Sequence, residues 1–290
     1  MLFRELVDTY ERLDMTSSRL EMTDILSQFF KKADRGSLRK AVYLTQGQLY
    51  PDFNPQKLGM ADKLLFKTLA FATGRKESTI QELMIKEGDP GQVAFQLFQG
   101  RKQTTLFSEP LTLARVYAAL EKIAVSEGGG SQDMKLKLLA DILGDSSPEE
   151  AKYISRIVSG KMRLGVATMT IIDALSTAYA TKEERDVVEN GFNVSSDLGL
   201  VAEIIQERGI EGIRQMKVKV GNPIRAMLAE RLPSPKEILE KMGGTAAFEY
   251  KYDGVRVQAH IDNGKITLYS RRLDVLFRRV IGPTRNRFPR

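Results

Sequence analysis

Near the C-terminal end of this 290-residue chain, Glu249 is followed by Lys251-Tyr252-Asp253-Gly254-Val255-Arg256, and Arg271 lies twenty positions after Lys251. An amine, two carboxylates and two guanidiniums at this spacing suit covalent chemistry at a phosphorus centre. A lysine titrates near 10.4, so little of it is a neutral nucleophile at physiological pH. Partial burial and neighbouring cations disfavour the ammonium, and Arg256 and Arg271 are the candidate cations. The same two groups suit the charge that develops at an attacked phosphate.

These residues need a strand to hold them. Side chains alternate across a strand. If 248–252 is extended, Glu249, Lys251 and Asp253 share one face, and Phe248, Tyr250 and Tyr252 pack the other. Gly254 permits a tight turn and close approach of a ligand to the backbone. Asp253 either positions the motif or simply forms the turn. Val255, Val257, Ala259 and Ile261 alternate with Arg256, Gln258 and His260. Asn263-Gly264 is a two-residue hairpin signal, with Ile266 and Leu268 opening the return strand. His260, the single histidine, is expected on the polar side as a solvated or satisfied residue and not as a catalytic one.

The preceding 215 residues read as helices. Leu113, Val116, Tyr117, Leu120, Ile123 and Ala124 follow helical spacing, as do Leu136, Leu139, Ile142 and Leu143. Ser147-Pro148-Glu149-Glu150 forms a capping box with proline at the first helical position, and Gly160 ends that helix. Thr181 to Glu184 reads as a second box, and Ser195 or Ser196 as the cap of a further helix. Met60, Met84, Met134, Met162 and Met169 read as core packing. Pro223, Pro233 and Pro235 break the helical pattern, and a short helix over about 235–242 ends at Gly243-Gly244.

Two helix-opening segments suit phosphate. Gly128-Gly129-Gly130-Ser131 leads to Lys135, and Lys161-Met162-Arg163-Leu164-Gly165 leads to a later helix. Unpaired amides at helix N-termini attract anions, and the three basic residues add charge. Glycines between helices are also ordinary connectors, and that reading stays open.

Ten of the 44 basic residues but three of the 37 acidic ones fall in 250–290, so this segment carries the whole net charge of +7. Residues 1–249 are electrically balanced and must bind any polyanion through local patches. Five arginines follow Asp274, and 274–290 reads as an atypical basic tail, either foreign to the fold or a genuine polyanion-touching segment. No apolar run reaches the roughly 18 residues of a membrane span, and the N-terminus does not read as a signal peptide. With no cysteine, disulfides and thiolate catalysis are excluded, which fits a cytoplasmic protein.

The motif at Lys251 to Arg256, the segment Tyr269-Ser270-Arg271-Arg272-Leu273 and the stretch Gly221 to Ala229 together resemble the N-terminal half of ATP-dependent DNA ligases of the archaeal and eukaryotic type. The resemblance implies a multidomain chain, α then α+β. An all-helical DNA-binding domain, 1–215, is followed at 216–290 by the first part of a β-rich, ATP-grasp-like nucleotidyltransferase domain. It implies Lys251 as the nucleophile, Glu249 as an adenine contact, Arg256 and Arg271 as nucleotide contacts, and Gly129, Gly130, Ser131, Lys135, Lys161, Arg163 and Gly165 on the DNA side. ATP and Mg2+ are the implied cofactors and nicked double-stranded DNA the implied partner, with sealing in replication, repair and recombination. A sliding clamp is a further implied partner, and the protein is expected to be a monomer. The family's later motifs are not in the sequence, so this chain is expected to be unable to complete ligation. A non-catalytic DNA-binding fragment is the alternative, and the long helical region disfavours an RNA ligase or capping-type enzyme.

Overall fold

The computed structural model describes residues 1–58, 60–99, 110–226, 230–250 and 252–280. Among these, the helices are α1 (Phe3–Asp14), α2 (Arg19–Lys32), α3 (Ser37–Thr45), α4 (Asp62–Thr73), α5 (Glu77–Glu87), α6 (Pro90–Gln99), α7 (Leu113–Val125), α8 (Ser131–Gly144), α9 (Pro148–Val158), α10 (Thr168–Tyr179), α11 (Arg185–Ser195), α12 (Leu198–Arg214) and α13 (Pro235–Lys241). The strands β1 (Val257–Asp262), β2 (Lys265–Ser270) and β3 (Val275–Val280) form an antiparallel sheet in that order.

Helix α9 sits at the centre of the helical part. The Ser147 hydroxyl accepts the Glu150 N–H at 3.2 Å, and the Glu150 carboxylate accepts the Ser147 N–H at 2.8 Å, which is the predicted capping box. Gly160 follows the helix at a positive φ of 67°. Every residue from Glu150 to Val158 is buried, including Lys152 and Arg156. Charges survive there because each is paired. The Lys152 ammonium meets Glu11 at 2.8 Å and Asp14 at 3.0 Å. The Arg156 guanidinium donates to Asp14 at 2.8 Å and to Asp89 at 2.7 and 3.2 Å. This network ties α1, α9 and the start of α6 together.

Several expectations from sequence are corrected. Helix α11 starts at Arg185, later than the box at Thr181 implies. The Glu184 carboxylate does accept the Thr181 N–H at 3.1 Å, but in a turn ahead of the helix. The cap of α12 is Asp197, whose carboxylate accepts the Leu200 N–H at 2.8 Å. Ser196 is excluded because it closes α11 in the left-handed region, at φ 52°. Met60 and Met162 are buried and Met84 packs against the core, but Met134 and Met169 are exposed. Each of those two falls in the first turn of its helix, off the buried stripe.

The C-terminal sheet departs furthest from expectation. Asn263 and Gly264, at φ 45° and 74°, make the predicted two-residue turn, with Asp262 facing Lys265. The strand expected over 248–252 is absent from the described part of that stretch, where no neighbouring strand offers backbone partners. Tyr250 and Tyr252 are 90% and 86% exposed instead of packed. Strand β1 is also inverted: Gln258 and His260 turn inward, while Val257, Ala259 and Ile261 are exposed. The inward face meets the backbone of the linker 221–224, whose amides and carbonyls need polar partners. Finally, 275–280 pairs with β2 as β3, so the start of the basic tail is part of the fold.

Candidate functional site

The β1–β2 register decides which site residues come together. Val257 pairs with Ser270 as the last rung. Arg256 precedes β1 and Arg271 follows β2, so both lie next to that rung, at the end of the hairpin away from its turn. Both are exposed, as are Glu249 and Asp253. Lys251 lies outside the described residues. The shared face expected for Glu249 and Asp253 is not formed, since the stretch around them carries no strand.

Arg271 sits in a turn that the sequence reading did not single out. The Ser270 hydroxyl accepts the N–H groups of Arg272 and Asp274, each at 3.1 Å. The Ser270 N–H donates to the Asp274 carbonyl at 2.9 Å, and the Leu273 N–H to the Ser270 carbonyl at 3.0 Å. Leu273 is buried at a φ of 70°, which anchors the turn from below. A serine four residues before an aspartate was the available signal, because such side chains cap their own turns. His260 is a satisfied histidine: its Nδ1 accepts the Gly221 N–H at 2.8 Å, and its ring meets Tyr269 edge-on at 4.8 Å. Burial lowers its affinity for a proton.

The two glycine-bearing segments open helices as predicted. Gly128 and Gly130 take φ values of 86° and 79°, and Gly130 is the N-cap of α8. No side chain caps that end, so its first-turn amides stay available. Gly129 is exposed, while Ser131 and Lys135 are half-buried. Asp133 in the same turn opposes an incoming anion. The second segment alternates: Met162 and Leu164 are buried, and Lys161, Arg163 and Gly165 face out.

The basic groups of this second segment already have partners. Lys161 reaches Asp62 at 3.7 Å. Arg163, at φ 55°, donates to the Gly88 carbonyl at 2.6 Å. Arg163 therefore shapes the loop as well as presenting charge. Gly88 precedes Asp89, which Arg156 holds, so the buried network reaches the loop from beneath. Burial would raise the Asp89 pKa, but the Arg156 bonds, the Gly91 N–H and the charges of Arg156 and Arg163 hold it below the ordinary carboxylate value. The two segments belong to different helix groups: α8 packs on α4 and α7, and α10 packs on α2, α11 and α12. The sequence reading missed Arg156 and Asp89; the signal was Lys152 and Arg156 one turn apart on a helix that also carries Tyr153, Ile154, Ile157 and Val158.

Residues 2–176 match the family described as DNA ligase N terminus, and residues 226–285 match the ATP dependent DNA ligase domain. Among curated relatives, DNA ligase 2 of Thermofilum pendens is 47% identical over 277 residues, covering 93% of this chain and 46% of the relative. The DNA ligase of Nitrosopumilus maritimus is 44% identical over 275 residues, covering 94% and 47%. That of Sulfurisphaera tokodaii is 42% identical over 287 residues, covering 96% and 48%. The chain spans about half the length of the curated relatives it matches. With the first family match alone covering more than half of its residues, the chain belongs to the ATP-dependent DNA ligase family.

Proposed function

We propose that this chain carries the nucleophile and a duplex-binding region of a nick-sealing ligase that works through a lysyl-AMP intermediate. The observation that carries the reading is that Arg256 and Arg271 both flank the last rung at one end of a hairpin, five and twenty residues after Lys251, in a chain that matches the ligase family over both regions. The neutral Lys251 amine attacks the α-phosphorus of ATP. A P–N bond forms, the P–O bond to the β-phosphate breaks, and pyrophosphate leaves. Arg256 and Arg271 meet the charge on the α-phosphate, and Glu249 accepts from the adenine amino group. The 5′-phosphate of the nick then takes AMP from the lysine, and the 3′-hydroxyl displaces AMP to close the strand.

The family implies a divalent metal. The described residues do not fit one by themselves, since no group of three or more His, Asp or Glu gathers among them. Duplex contact falls to the loops at Gly129 to Lys135 and Lys161 to Gly165, where backbone amides and lysines read phosphate without regard to sequence. No described helix is long and apolar enough to cross a membrane.

A chimera tests the reading. Residues 1–273 of this chain are joined to the remaining part of the Thermofilum pendens relative and incubated with α-labelled ATP and Mg2+, then with nicked duplex. Label is expected on the protein, lost with Lys251→Ala, and passed on to joined DNA. A folded, ATP-binding chimera that takes label equally well with Lys251→Ala overturns the assignment.

A further inference from the structure

The linker between α12 and the sheet is bonded on both edges. On the helical side, Ser196 donates to the Pro223 carbonyl at 2.5 Å, and the Arg225 N–H donates to the Asn193 carbonyl at 2.9 Å. The Arg225 guanidinium lies 4.6 Å from the centre of the Phe192 ring. On the sheet side, three residues of one sheet face hold the same few positions. His260 Nδ1 accepts the Gly221 N–H at 2.8 Å, and the Tyr269 hydroxyl donates to the Gly221 carbonyl at 2.9 Å. The Gln258 amide accepts the Ile224 N–H at 3.0 Å and donates to the Ile224 carbonyl at 2.5 Å. Gly221 takes a φ of 97°, which a side chain rarely adopts, so its amide is turned to the imidazole by a conformation that favours glycine.

We infer that Gln258, His260 and Tyr269 are positioning residues: they clamp the linker and thereby set the arginine-bearing end of the hairpin against the helical region. This explains the inverted strand, since the polar residues of β1 are turned inward to satisfy linker backbone. The consequence for catalysis rests on the proposed function, because orientation matters to transfer only if the hairpin holds the nucleotide. A nucleophile misplaced by about an ångström loses roughly a hundredfold in rate.

The bond at His260 is sensitive to acid. An Nδ1 that accepts Gly221 N–H is unprotonated; once protonated it is a donor facing a donor. The groups on the same face are the Tyr269 phenol and, further along, Asp262 and Lys265; Lys219 precedes Gly221 on the linker. Burial lowers the imidazole pKa. The clamp is therefore fully present above about 6.5, the ordinary histidine value, and is lost as pH falls through the lowered one.

The absence of cysteine allows a direct test in the whole chain. Spin labels at Lys182→Cys and Ala259→Cys, both exposed positions, report the distance between helical region and sheet. One narrow distance distribution is expected at pH 7.5 and a broad one in acid, below the lowered imidazole value. His260→Phe, which keeps the ring against Tyr269, should be broad at both, with the Gly221 amide exchanging about tenfold faster. His260→Asn, which keeps an acceptor that does not titrate, should be narrow at both. Should His260→Phe fail to fold, Gln258→Met read at the Ile224 amide takes its place. A wild-type distribution that broadens at no acid pH at which the chain stays folded overturns the inference, as does a narrow one for folded His260→Phe at pH 7.5. Failure of the chimera to take label would remove the proposed function and leave this result standing.

Discussion

Replacing Arg156 by Met removes the cation at the centre of the buried network while keeping most of the side-chain length. Arg156 and Asp89 are both nearly inaccessible, with side-chain exposures of 6% and 7%. After the change Asp14 still has Lys152 at 3.0 Å and the Tyr153 hydroxyl at 3.1 Å. Among the described residues, the Asp89 carboxylate then keeps the Gly91 N–H, at 2.9 Å, and loses its paired cation. Breaking one side of a buried pair costs about 3–5 kcal/mol. Because Asp14 remains paired, about 3 kcal/mol is expected, or roughly 6–12 °C in melting temperature for a unit of this size. Thermal melts of the 290-residue chain followed by circular dichroism measure it. Asp89→Asn combined with Arg156→Met removes the stranded charge but keeps an acceptor for Gly91, so it should recover all but about 1 kcal/mol.

The pH dependence has a definite sign. Wild-type Asp89 is depressed, so its contribution is present above the ordinary value of about 3.9 and lost as pH falls through the lowered one. In Arg156→Met burial dominates and raises that pKa, so the gap between the two proteins narrows in acid. A cost below about 1 kcal/mol, or a double variant no better than the single one, would refute the reasoning.

Gly199→Ala places a methyl 2.5–2.9 Å from the ring of Tyr43, whose hydroxyl donates to Asp197 at 2.6 Å. A loss of about 1–3 kcal/mol is expected in urea denaturation, and an unchanged midpoint would show that the ring moves freely. The triple change Lys135/Lys161/Arg163→Ala should reduce the salt dependence of duplex binding by about two to three units of log–log slope without creating sequence preference. Titration at several salt concentrations reads this, and an unaltered slope would make these loops plain connectors. The 290-residue polypeptide alone is expected to give no detectable joined product, because Glu249, Arg256 and Arg271 are all exposed and water is not excluded from the reacting phosphate. Product in a gel assay of nicked duplex would contradict that.

Local signals were enough wherever one segment contains its own instructions. The Ser147–Glu150 box, the Gly130 start of α8, the Asn263-Gly264 turn and the periodicity of α7 were all legible, because each depends on backbone groups within a few residues. The proposed roles of Lys251, Arg256 and Arg271 were legible for another reason: they rest on residue type and spacing, which need no distant partner to be read. What sequence could not supply was the identity of distant partners. Lys152 and Arg156 look like a solvated face until Glu11, Asp14 and Asp89 arrive from α1 and the start of α6. Strand β1 alternates correctly but buries its polar side, because the surface it meets is linker backbone and not an apolar layer. The sequence alone determined the family and the helical N-terminal region, since these follow from local pattern. Only the tertiary structure decided that Arg163 braces its loop through Gly88 and that His260 holds Gly221, because a hydrogen bond needs its partner in place before a side chain can be assigned to it.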